Sequence, residues 1–140
     1  MVVRWLIGFV LLITALPASA RLFEADSKAY GTSKMDIVGK EVERRERSSV
    51  MDITITKVGS SVGSSFFLLC SIRRLAQLRG PYRSVAKIED LPKRGQMLVG
   101  FLKTADEPLS TIDAALSASH PHFAVVDLDQ FAPVCDLSKP

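Results

Sequence analysis

The residues predict an α+β domain, a single antiparallel sheet with two helices, and three observations carry that prediction. Met51, Ile53 and Ile55 alternate with Asp52, Thr54 and Thr56, the period-2 pattern of a strand with one buried face. Leu68, Leu69, Ile72, Leu75 and Ala76 share one stripe at 100° per residue, and Gly80-Pro81 supplies the stop that an amphipathic helix needs. MLVGFLKT at 97–104 is a near-continuous apolar run suited to a central strand. A chain of 140 residues, 47% hydrophobic and 24% charged, fits one ordinary globular domain rather than a disordered or repeat protein.

In chain order, residues 1–20 (MVVRWLIGFVLLITALPASA) combine the early cation Arg4, an apolar run from Trp5 to Leu16, the helix-ending Pro17 and the small residues Ala18 and Ala20. This is the pattern of a secretory signal peptide, and the run is too short for a spanning helix, which needs about 20 apolar residues. Cleavage after Ala20 is expected, giving a secreted or periplasmic product with no transmembrane segment. Residues 21–47 are mostly polar, with the charge run KEVERRER at 40–47, and read as a flexible arm. The domain proper is then 48–140.

Within it, a strand is expected over about 50–58, followed by the loop GSSVGSS at 59–65, whose serines are suited to capping a helix at 66–79. YRSVAKI at 82–88 reads as a strand, EDLPKRGQ as a turn, and 97–104 as its hairpin partner. Ser110-Thr111-Ile112-Asp113 matches a helix-opening pattern and predicts a short helix to about Ser119; FAVVDLD at 123–129 makes the last strand. The order strand, helix, strand, strand, helix, strand is the split βαβ plan of ferredoxin-like domains, with a tail over 130–140.

Eighteen Lys and Arg against fifteen Asp and Glu give a net charge of +3, a mild surplus that calls for no nucleic-acid partner. The charge is uneven: residues 40–103 hold thirteen Lys/Arg and six Asp/Glu, whereas 104–140 hold one cation and six anions. Arg73, Arg74, Arg79, Arg83, Lys93 and Arg94 are the candidates for an anion-binding patch facing an acidic envelope protein, an anionic lipid or a glycan.

Cys70 and Cys135 are the only cysteines, and export sends them to an oxidising compartment where two thiols pair. On a helical wheel Cys70 lies about 160° from the apolar stripe, so it faces away from the sheet, and the segment Phe131–Cys135 is suited to cover it, with Phe131 and Val134 against Phe66 and Phe67. The alternative is a reactive Cys70 thiol, with Arg73 and Arg74 at i+3 and i+4 favouring the thiolate. His120 and His122 precede a strand carrying Asp127 and Asp129, residue types that bind divalent metals, although a straight strand would hold the two pairs roughly 15–25 Å apart. No Walker loop, G-x-S-x-G, H-E-x-x-H or C-x-x-C signature is present, and no cofactor is implied.

Asp52 through Glu89, with DITIT, then FLLCSIRRLAQLRG, then YRSVAKIE, resembles the strand–helix–strand core of uncharacterised proteobacterial cell-envelope lipoproteins. The acylated Cys of such lipoproteins has no counterpart beside Arg21. The resemblance implies a bacterial envelope setting and assigns no residue a role. The expected function is therefore that of an exported, non-catalytic binding or structural accessory protein. The alternatives are a small metal-dependent hydrolase centred on His120, His122, Asp127 and Asp129, or an anion-binding factor using the Arg73, Arg74 and Arg79 surface.

Overall fold

Gln96–Leu102 is the strand around which the rest of the molecule is arranged. The computed structural model describes residues 21–31, 33–116 and 124–137; the expected signal peptide, His120 and His122 lie outside them. Six strands, β1 (Glu24–Asp26), β2 (Asp36–Arg44), β3 (Ser48–Lys57), β4 (Ser84–Glu89), β5 (Gln96–Leu102) and β6 (Ala124–Asp127), form one sheet in the order β1-β2-β3-β5-β4-β6, every pair antiparallel. Among the described residues two helices, α1 (Ser61–Arg79) and α2 (Ala132–Leu137), complete the α+β fold.

The alternation along β5 explains its continuous apolar sequence. Met97, Val99 and Phe101 belong to the core beneath α1, with Phe67, Ile72, Leu75, Ala76 and Val85. Leu98 and Leu102 belong to a second core on the opposite face, with Val50, Ala86, Ile88, Ile112 and Leu116. A strand buried on both faces has no polar side to display, so it reads as an apolar run. Between Leu98 and Leu102 stands Gly100, where a Cβ would collide with Cδ1 of Leu116 and meet Cγ2 of Ile112 at 3.0 Å. The absence of a side chain lets the 109–116 segment lie directly on the sheet.

β3 and β4 each pair antiparallel with β5, so they run parallel to one another and α1 makes the crossover between them. This is the split βαβ half of the expected plan. The last strand departs from it. In a ferredoxin-like sheet that strand lies beside the first, but here β6 pairs with β4 (Val85 opposite Val126), because the outer edge of β3 is already occupied by β2 (Gly39 opposite Ile53).

Two local expectations are corrected. Residues 21–47 are not a flexible arm: they contribute β1, a 3-10 turn at Ser27–Tyr30, and β2. Phe23, Ala25 and Ile37 enter the α1-side core, but the other inward positions of β2 are Gly39 and Glu41, so the segment carries almost no hydropathy signal. Ser27 is buried as well, its hydroxyl accepting from the N–H of Ile37 at 2.9 Å and donating to the carbonyl of Met35 at 3.2 Å. The helix expected over 110–119 is instead two 3-10 turns, Leu109–Thr111 and Ala114–Leu116, with residues 117–119 outside the described part. Asp113, read as an acid near a helix start, is drawn to Arg45 and Ser48.

The glycine-serine stretch is also shorter as a loop than its composition suggests. Ser60 is the N-cap of α1, its Oγ accepting from the N–H of Gly63 at 3.0 Å, so the helix begins at Ser61 rather than Phe66. Past β6, the tail turns through a 3-10 segment, Leu128–Phe131, that buries Leu128, and continues as α2.

Candidate functional site

One stripe of α1 points away from the sheet and carries Cys70, Arg73, Arg74 and Gln77, the i, i+3, i+4, i+7 spacing that places side chains on a common helix face. α2 lies against this stripe. Cys70 and Cys135 are joined by a disulfide with a Cα–Cα distance of 5.3 Å, and both residues are buried. Phe131 meets Phe66 edge-on, ring centroids 6.3 Å apart, as the sequence led us to expect. Phe67 turns the other way, into the core, where Tyr30 contacts it edge-on at 5.7 Å; Val134 remains 38% exposed.

These three elements enclose a pocket of about 270 Å³ lined by Tyr30, Cys70, Arg73, Arg74, Gln77, Cys135 and Asp136. Arg73 donates from Nη1 to Asp136 Oδ1 at 3.1 Å, while its Nε is buried with no hydrogen-bond partner. The Arg74 guanidinium lies over the ring of Phe23, its Cζ 5.5 Å from the centroid. Two cations and one carboxylate leave the pocket with one net positive charge.

The other sequence candidates for anion binding do not join this pair. Arg79 is buried at the end of α1. Arg83 pairs with Asp129 at 3.4 Å on the surface. Arg83 precedes β4 and Lys93-Arg94 follow it, so these cations stand about 20 Å apart at 3.3 Å per residue. Arg73 with Arg74, Arg79, Arg83, and Lys93 with Arg94 are four separate groups rather than one patch.

For the metal candidates, Asp127 Oδ1 accepts from the N–H of Asp129 at 3.0 Å and caps the turn, and Asp129 faces Arg83. His120 and His122 lie outside the described residues. Among the described residues no group of three or more His, Cys, Asp or Glu stands close enough to hold a metal ion.

Sequence reasoning missed a buried charge network at the end of the sheet nearest the β2–β3 turn. The Glu41 side chain is fully buried and accepts from both nitrogens of an Arg44 fork, from Ser49 Oγ and from the N–H of Phe23. Burial pushes the Glu41 carboxyl up, but these donors more than offset it and hold the group below the usual carboxylate range. Arg79 reaches the same place from α1, 3.5 Å from Glu41, donating also to Ser49 Oγ at 2.8 Å and to the carbonyls of Arg45, Glu46 and Ser48. Burial, with the Arg44 cation beside it, lowers the pKa of Arg79.

Two further pairs tie the turn to the opposite layer. Arg47 binds Glu107 through two bonds of 2.8 and 2.9 Å and donates to the carbonyl of Phe101 at 2.7 Å. Those bonds, with the N–H of Lys103, bring the Glu107 pKa down to about 2. Asp113 accepts from Ser48 Oγ at 2.7 Å and Arg45 at 2.9 Å; burial pushes its pKa up, and the donors bring it below the ordinary value. The run KEVERRER is therefore structural. Its charges grip partners as much as 68 residues away, a separation that composition cannot register.

No family model, no curated protein and no solved structure matches the chain.

Proposed function

We propose that this chain is an exported, non-catalytic binding or structural accessory protein of the cell envelope or secretome, acting through the pocket beside its disulfide. The observation that carries this reading is the Cys70–Cys135 bond, which holds α2 over α1 and supplies one wall of the pocket. Disulfides persist in secreted and periplasmic compartments and are rare where glutathione and thioredoxin keep thiols reduced. The signal-like residues 1–20 agree with that compartment. No helix among the described residues is long and apolar enough to cross a membrane.

Compartment fractionation with thiol trapping at the moment of lysis tests the reading. The expected product begins at Arg21, occurs in periplasm or medium, and presents no alkylatable thiol. A chain that keeps Met1–Ala20 and remains in the cytoplasm with both cysteines alkylated would overturn it.

A further inference from the structure

The pocket beside the disulfide has a shape and a charge that select a class of ligand. Its volume of about 270 Å³ falls just below the roughly 300–1,000 Å³ of ordinary ligand clefts, so it admits a small molecule or the end of a chain. Its walls are fixed from three sides. The disulfide secures Cys135 and Asp136 of α2, the Phe67 contact secures Tyr30, and α1 presents Arg73, Arg74 and Gln77 from consecutive turns.

The cations are not equivalent. Arg73 is 15% exposed and already engages Asp136, so that half of the charge is internally balanced. Arg74 is exposed, and among the described residues it pairs with no carboxylate; its only partner is the face of Phe23. A guanidinium lying over an aromatic face is held in position by the ring, and its forked N–H groups are suited to a planar oxyanion. The remaining single positive charge matches a monoanion, and Asp136 opposes a second negative charge. Tyr30 and the disulfide sulfurs provide an apolar or polarisable surface for the attached carbon skeleton.

We infer that this pocket binds a monocarboxylate, with Arg74 as the principal contact, Gln77 and the Tyr30 hydroxyl as lateral hydrogen-bonding groups, and the disulfide as its floor. This deepens the binding-protein reading and rests on it for the oxidised state of the cysteine pair. The same chemistry is offered by a free organic acid and by the C-terminal carboxylate of a peptide.

The test is titration of purified, oxidised protein, observed by amide NMR, with benzoate, with a short peptide bearing a free C-terminus, and with the same peptide amidated. Saturable shifts at Tyr30, Arg74, Gln77 and Cys135 are expected with benzoate or the acid peptide, and tighter binding of one of these identifies the source of the carboxylate. Arg74→Gln should weaken binding at least tenfold, and Arg83→Gln, on a separate surface, should leave it unchanged. Arg74 is exposed, so its substitution keeps the fold intact. A Cys70→Ser/Cys135→Ser protein that retains its sheet should bind at least fivefold more weakly, because the α2 wall is no longer fastened. Absence of saturation with both probes, equal binding of the amidated peptide, or indifference to Arg74→Gln would overturn the assignment. None of those results would alter the location or oxidation state of the protein in the cell.

Discussion

Arg79, on the last turn of α1, stands 3.5 Å from Glu41 in the middle of β2, and both side chains are shut away from water, at 8% and 0% exposure. The pair joins α1 to β2, which lies between β1 and β3 in the sheet, and Arg79 also lies over the Phe101 ring, 5.1 Å from its centroid. Removing Glu41 leaves Arg79 buried with no carboxylate, whereas removing Arg79 leaves Glu41 still held by the Arg44 fork. Glu41→Leu is therefore expected to cost about 3–5 kcal/mol in urea unfolding, and Arg79→Met less, because Arg44 still pairs with Glu41. The double substitution should cost less than the sum of the two, since neither buried charge remains and Arg44, 28% exposed, can turn to water. Strict additivity would show that the two residues are stabilised independently.

The carboxylates of the network set a direction for pH dependence. Glu41, Glu107 and Asp113 all have folded-state pKa values below their ordinary ones, Glu107 reaching about 2 from a reference of 4.5. Between those values the folded protein binds fewer protons than the unfolded chain, so stability falls as pH falls. The contribution of Glu107 is complete above pH 4.5 and fades toward pH 2. Urea midpoints measured across that window should decline, and Glu107→Gln should flatten the decline. At neutral pH the same substitution is expected to cost about 1 kcal/mol, as for a partly exposed charge-assisted pair.

Close approach at Gly100 gives a steric prediction. Gly100→Ala places a methyl group against Leu116 and Ile112 in a close-packed layer and is expected to destabilise by about 1–3 kcal/mol. Combining it with Leu116→Ala removes the collision, so the double variant should be more stable than the two separate losses imply. Thermal unfolding of the four proteins checks this. An unperturbed Gly100→Ala protein would mean that the 109–116 segment moves off the sheet at little cost.

The disulfide should contribute to stability in proportion to the loop it closes. A sequence separation of 65 residues corresponds, by loop-closure entropy, to about 4 kcal/mol. Cys135→Ser should lower the melting temperature and open residues 132–137 to proteolysis. Intact mass after alkylation without reductant should show no free thiol. An unchanged melting temperature would assign the anchoring of the tail to Leu128 and the Phe66–Phe131 contact instead.

Features whose signal is local can be read from the residues alone. β5 and β4, buried on both faces, read as apolar runs, β3 as the alternation of Met51 and Ile53 with Asp52 and Thr54, and the body of α1 as a stripe at helical period, all signals written in neighbouring residues. The cysteine pairing was legible for a different reason: with two cysteines there is one possible intramolecular bond. The placement of Cys70 opposite the apolar stripe likewise identified where the tail must lie. The remaining features depend on partners distant in the chain. β2 enters the sheet with Glu41 facing inward because Arg44, Ser49 and Arg79 satisfy it there, and no hydropathy pattern can announce a buried charge. The 109–116 segment yields its helix to the demands of Arg45, Ser48 and the space above Gly100. The pocket was half legible: Arg73 and Arg74 stand out beside Cys70, but Tyr30 and Asp136 arrive from opposite ends of the domain, and only the folded chain brings them to the same helix face.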